Sequence, residues 1–172
     1  ITVQDPFVDE IRPVFIRRGT SIDGGWYQFC DWTFTYGIYY NKSLFDRHHI
    51  PYPDSSWTWQ NLVTYSRALT KDMDQDGKID QYGVFIAKHF VSALETMNGA
   101  VYPANALFFE LLPESRQALQ SYLDLMYQDK VMPELALTQA QGMQGAQMLN
   151  SGRVAMVAEA VPNLDFITSL TV

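Results

Sequence analysis

Apolar and polar positions follow two rhythms along this chain, and the places where the rhythm changes mark out its elements. "GGWYQF" and "TYGIYYN" are short aromatic and β-branched runs set off by glycine, and "YGVFIA" is a short apolar run of the same kind, so each predicts a strand. "RVAMVAE" is a continuous apolar stretch of the sort that a strand buried on both faces carries. Between these runs the spacing changes to three and four. Trp59, Leu62, Val63 and Leu69 recur at helical intervals behind Thr58, whose hydroxyl suits an N-cap. "VSALETMNG" predicts a helix stopped at Gly99. Pro113 suits a first turn, and Ala118, Leu119, Tyr122, Leu125 and Met126 make one apolar face of a helix expected to run to Pro133. "QAQGMQGAQMLNSG" adds a helix that ends at Gly152 and leads into the last strand. Strands and helices thus alternate, which predicts an α/β fold with helices packed on a small sheet.

Composition narrows the function classes. With 172 residues, 47% of them hydrophobic, the chain can bury the core of one sizeable domain. A net charge of -7 with no basic cluster beyond Arg17 and Arg18 argues against wrapping on nucleic acid and favours neutral or cationic partners. No apolar run approaches the roughly 20 residues of a membrane span, and "ITVQDPFVDE" has neither the basic start nor the apolar stretch of a signal segment. The single Cys30 cannot pair internally and reads as a buried thiol, while the neighbouring His48 and His49 read as surface residues. No nucleophile with a neighbouring base, no glycine-rich phosphate loop and no His/Cys ligand spacing stands out.

"DMDQDGKID" is the one stretch with metal-binding character. Asp72, Asp74 and Asp76 alternate, and Gly77 permits the sharp reversal that lets oxygens converge on a hard cation. Lys78 would offer its carbonyl at the seventh position and Asp80 its carboxylate at the ninth, but Gly83 stands at the twelfth, where an EF-hand has a bidentate Glu. A strand follows instead of a helix. Two readings therefore stay open: a solvated turn, or an accessory calcium site held by Asp72, Asp74, Asp76, Lys78 and Asp80.

Four stretches in order resemble the extracellular solute-binding proteins of carbohydrate ABC importers, the family 1 type that is similar to maltose-binding protein. "GGWYQF" is similar to the family's "dGkxYgxP"; "GIYYNKSLFDRHHIPYPDSSWTWQNLVTYSRALTKDMDQDGKIDQYGVFIA" to its "YYNkxlFxxxGixxPxTWxel" and "LTxDxDgDGkxDqyG"; "MNGAVY" follows, and "MLNSGRVAMVAEAVPNLDF" resembles "FxsGkvAM". "YQFC" departs from "YgxP", and "AEAVPNL" replaces the usual Gly and Trp after the AM pair. The resemblance implies a periplasmic-binding-protein-like type II lobe, a small mixed sheet flanked by helices. It implies that residues 1–40 are a hinge or crossover segment and 41–172 the second lobe of a two-lobe binder. The implied role is non-enzymatic: capture of a mono- or oligosaccharide between lobes and delivery to ABC transporter permease subunits, by a monomer without nucleic acid. The implied location is extracellular, periplasmic or lipid-anchored at the cell surface. No cofactor is required by the resemblance, and in some members of the family the Asp turn holds a structural calcium away from the sugar.

Sugar recognition needs flat apolar faces against the ring and polar groups at its edge. By the resemblance, Trp32, Phe34 and Tyr36 fall on the crossover, Lys88, His89 and Phe90 follow the strand "YGVFIA", and Glu159 and Asn163 line a turn after the AM strand, so these eight are the expected ligand contacts. Trp57 and Trp59 belong to the "TW" helix start and are expected to pack, and of Tyr39 and Tyr40 at most one can face a cleft. Two other classes compete. A carbohydrate-acting enzyme would need two carboxylates about 5 to 9 Å apart, with Glu95, Glu110 and Glu159 as the acids to test. A calcium-dependent interaction module would use the Asp loop.

Overall fold

Strand β3 (Val154–Val161) occupies the middle of a three-stranded mixed sheet, and the sequence explains why. Val154, Ala155, Met156, Val157 and Ala158 are all fully buried, as a strand with a neighbour on each side and helices over both faces requires. The computed structural model describes residues 35–99, 112–134 and 145–161. "GGWYQF", Cys30, Trp32, Phe34, Glu110 and Asn163 lie outside the described residues. Strand β1 (Thr35–Tyr40) runs antiparallel to β3, placing Tyr36 opposite Ala160 and Gly37 opposite Glu159. Strand β2 (Tyr82–Ile86) runs parallel on the other side, placing Val84 opposite Met156 and Ile86 opposite Ala158.

Alternation along the strands separates two apolar clusters. Ile38, Tyr40, Val84, Ile86, Met156 and Ala158 join the larger one with the helices described below, whereas Tyr39, Phe85 and Val157 turn to the other face.

Helix α1 (Lys42–Arg47) is a short element that the apolar spacing did not reveal. It exists because Asn41 does three jobs: its side-chain oxygen accepts from Leu44 N, its own N–H donates to Ala155 O at 2.9 Å, and its Nδ2 donates to Leu149 O at 3.2 Å. Helix α2 (Trp59–Leu69) starts in a reciprocal capping box between Thr58 and Asn61 and buries Leu62, Val63, Ser66 and Leu69. Trp57 stands edge-on to Tyr65 with ring centroids 4.8 Å apart, and both Trp57 and Trp59 pack on the core, as expected for the "TW" pair.

A single 3₁₀ turn over Lys88–Phe90 follows β2 and runs into α3 (Val91–Met97), which ends before Gly99 in the left-handed region. Helix α4 (Pro113–Tyr127) begins at its proline as expected but ends well before Pro133. Its buried face is Ser115, Ala118, Tyr122, Leu125 and Met126; Leu119, assigned to that face by spacing, is 38% exposed. The chain then turns back, with Lys130 at positive φ, and lies along the outer edge of β2. There Val131 O accepts from Gly83 N and Val84 N, Met132 Sδ from Ile86 N at 3.3 Å, and Tyr122 Oη donates to Ile86 O at 3.1 Å. An edge strand is thereby closed to a further strand. Helix α5 (Gly145–Asn150) packs Ala146, Met148 and Leu149 on the second face, and Gly152 stops it at positive φ. No helix among the described residues is long and apolar enough to cross a membrane.

Candidate functional site

The carboxyl ends of parallel β2 and β3 point the same way, and antiparallel β1 brings its amino end to that edge. In open α/β sheets ligands settle in the crevice outside these carboxyl ends. Four residues singled out from the sequence meet there. His89, in the turn after β2, places Nε2 2.7 Å from Oε1 of Glu159 on β3, and the Tyr36 hydroxyl of β1 donates to the His89 carbonyl at 3.2 Å. Tyr36 also lies tilted 5.8 Å from the His89 ring and edge-on 5.1 Å from Phe90.

The four are not equivalent. The His89 side chain is 48% exposed and that of Glu159 only 12%, so the imidazole is open to solvent and the carboxylate largely covered. Phe90 is buried in the main core and serves as a floor under Tyr36 rather than a surface against solvent. Lys88 is exposed. Burial first, and then the Glu159 charge, push the Tyr39 phenol above its ordinary value. Trp32, Phe34 and Asn163 lie outside the described residues. Of the acids considered for an enzymatic pair, Glu110 is also outside them, Glu95 is half-buried on α3, and Glu159 is engaged by His89.

The Asp loop forms a second, separate constellation. Lys71 and Gln81 close its neck as an isolated antiparallel bridge, with Lys71 N donating to Gln81 O at 2.7 Å. Positive φ at Gln75 and Gly77 folds the chain back on itself. Carboxylate oxygens of Asp72, Asp74 and Asp80 then lie within 4.8 Å of one another, all exposed. Oxygens about 2.3 to 2.6 Å from a shared calcium can span such distances, so these three fit the ion. Asp76 does not join them: its oxygens take the backbone N–H of Lys78 at 2.8 Å and its ammonium at 2.9 Å, which holds the Asp76 carboxyl below its ordinary range. Of the four carboxylates expected at the ion, Asp72, Asp74 and Asp80 converge, while Asp76 pairs with Lys78.

Gln81 is the residue the sequence reading passed over. It is 1% exposed, its Nε2 donates to Leu69 O at 2.6 Å, and the same nitrogen lies 3.5 Å from His48 Nε2. A polar residue placed directly between the loop and an apolar strand was its only signal. His48, expected at the surface with His49, is therefore half-buried against Gln81, while His49 is exposed at φ 54 where α1 ends.

The polar cluster of Tyr36, His89 and Glu159 thus sits at the carboxyl ends of the parallel strands, where open α/β sheets hold their ligands. The chain belongs to the bacterial extracellular solute-binding proteins, whose family model matches residues 3–166. No curated protein matches it significantly. Among solved structures it is similar to an ABC substrate-binding protein from Listeria monocytogenes in complex with cycloalternan, with 20% identity and a TM-score of 0.64 over 90% of this chain and 41% of that one. It is similar also to the maltose/maltodextrin-binding domain MalE from Bdellovibrio bacteriovorus bound to maltotriose, with 20% identity and a TM-score of 0.62 over 96% and 41%. A third is UspC of M. tuberculosis, with 17% identity and a TM-score of 0.68 over 96% and 46%. The periplasmic-binding-protein-like α/β fold follows from these likenesses. The chain spans less than half the length of each of these proteins.

Proposed function

We propose that this chain is the ligand-binding part of a carbohydrate ABC importer, capturing a mono- or oligosaccharide between two lobes and delivering it to membrane permease subunits. One observation carries the reading: Tyr36, His89 and Glu159, from three different segments, converge at the carboxyl edge of the sheet with an aromatic face, an imidazole and a carboxylate. That combination suits the C–H face and the hydroxyl rim of a sugar ring. Two of the structural neighbours were solved with cycloalternan and maltotriose, which supports the ligand class.

On this reading residues 1–40 are the crossover between lobes and 41–172 the second lobe, acting as a monomer without catalysis. The protein works outside the cytoplasmic membrane, in a periplasm or anchored at the cell surface. Asp72, Asp74 and Asp80 hold a structural calcium whose charge offsets the repulsion of three carboxylates and fixes the loop between α2 and β2. Isothermal titration with a panel of neutral sugars tests the assignment. Micromolar binding of at least one by the two-lobe protein, and weaker binding by this chain alone, without release of a cleaved product, is expected; product formation would put a carbohydrate-acting enzyme in its place.

A further inference from the structure

His89 and Glu159 were each expected to touch the ligand, yet they are bonded to each other, and the bonding leaves the carboxylate lopsided. Oε1 of Glu159 accepts twice, from His89 Nε2 at 2.7 Å and from its neighbour's backbone, Ala160 N, at 2.8 Å. An ionised carboxylate only accepts, so Nε2 carries the hydrogen. Both lone pairs of Oε1 are then used. Oε2 has no hydrogen-bond partner among the described residues and is not one of their buried unpartnered atoms, which leaves it open to a donor from outside. With Oε1 fixed by two donors, Oε2 is held in one orientation, ready to accept from a ligand.

The imidazole is itself held. Its carbonyl receives the Tyr36 hydroxyl at 3.2 Å and also the Ser92 hydroxyl at 2.9 Å, so the turn bearing it is fixed to β1 and to the start of α3. Lys88, next in the turn, is exposed and makes no ion pair with Glu159 among the described residues.

We propose that Glu159 and His89 form one recognition unit, in which Oε2 of Glu159 takes a hydroxyl or ammonium hydrogen of the ligand and His89 is the positioning residue that holds the carboxylate. The unit makes the site selective: neutral and amino sugars supply the missing donor, whereas a sugar acid brings a second carboxylate against the first and meets like-charge repulsion in a partly desolvated place. This rests on the carbohydrate reading above and adds to it the charge class of the ligand.

The test is a set of titrations on the protein with maltotriose, D-mannitol, glucosamine and glucuronic acid, repeated on Glu159→Gln, His89→Ala, His89→Gln and the double variant Glu159→Gln/His89→Ala, each with its melting temperature. The expected result is binding of a neutral or amino probe and none of glucuronic acid. Affinity for that probe falls at least tenfold in Glu159→Gln and in His89→Ala, with little further loss in the double variant because the two act together. His89→Gln, which can still donate to Oε1, recovers most of the loss. Glucuronic acid binding as tightly as the neutral probes overturns the proposal, as does an additive double variant or intact affinity in Glu159→Gln with the melting temperature unchanged. If a neutral probe binds the wild type but these variants do not matter, the carbohydrate reading survives without the unit. If no probe binds the wild type, both fall.

Discussion

The carbonyl oxygen of Ser66 lies where the side chain of any residue larger than glycine at position 83 would begin. Helix α2 and strand β2 therefore approach backbone to backbone, and the contact is backbone rather than the yielding end of a side chain. Gly83→Ala must push the helix off the sheet. Overpacking of this kind costs about 1 to 3 kcal/mol where side chains can yield, and here the upper end, about 3 kcal/mol, is expected in urea unfolding. A loss under about 0.5 kcal/mol, the range of an ordinary surface substitution, would show that the two elements are free to separate.

Tyr122 ties α4 to the outer edge of β2 through its bond to Ile86 O. Tyr122→Phe should cost about 1 kcal/mol, the usual net worth of one buried hydrogen bond. Burial also pushes the Tyr122 phenol up to about 12 from its ordinary 10.0. Because the folded form resists ionisation, its contribution to stability is complete below pH 10 and is lost as pH rises toward 12. Stability measured against pH should fall through that window, and the fall should be shallower in Tyr122→Phe. Equal slopes in the two proteins would remove Tyr122 as its source.

What the sequence shows directly is local. Thr58 and Asn61 announce α2 because a capping box is written in neighbouring residues, and the run from Val154 announces β3 because a strand buried on both faces has no polar alternation. Helix α1 escaped because its six residues span fewer than two turns, too few for an apolar spacing to repeat, and its support comes from Ala155 and Leu149, far along the chain. Leu119 was misplaced because the apolar stripe of α4 is wider than the face the core covers. At the site, resemblance put Tyr36, His89 and Glu159 near one cleft, but the bond between His89 and Glu159 depends on sheet register and a 3₁₀ turn, neither of which spacing reveals.

For the Asp loop, calcium should raise the melting temperature, and at ten times the dissociation constant the gain corresponds to about 1.4 kcal/mol. Asp72→Asn and Asp80→Asn should abolish the response, since each removes a carboxylate from the converging set. Asp76→Asn should leave most of it, because that carboxylate is turned to Lys78. A calcium response lost equally in all three variants would mean that the loop rearranges around the ion; no response at millimolar calcium would leave a solvated turn.

His48 supplies the acid limb. The Gln81 amide is oriented by its bond to Leu69 O, which leaves its second Nε2 hydrogen to face His48 Nε2, so the imidazole nitrogen there must be the acceptor and unprotonated. Protonation would set two N–H groups against each other. Burial foremost, then the charges of Lys71, Arg47 and His49, hold the His48 imidazole below its ordinary 6.5. The folded state therefore binds this proton less readily than the unfolded chain does. Its contribution is complete above pH 6.5 and declines as pH falls below that value. Thermal melts of the wild type should lose stability progressively on acidification from 6.5, and His48→Gln, which accepts from Gln81 through an amide oxygen that does not titrate, should flatten that part of the profile. Since Gln81 also closes the neck of the Asp loop with Lys71, amide exchange at Lys71 and Gln81 should quicken over the same pH interval relative to the variant. Parallel profiles in the two proteins would place the acid sensitivity in carboxylates instead.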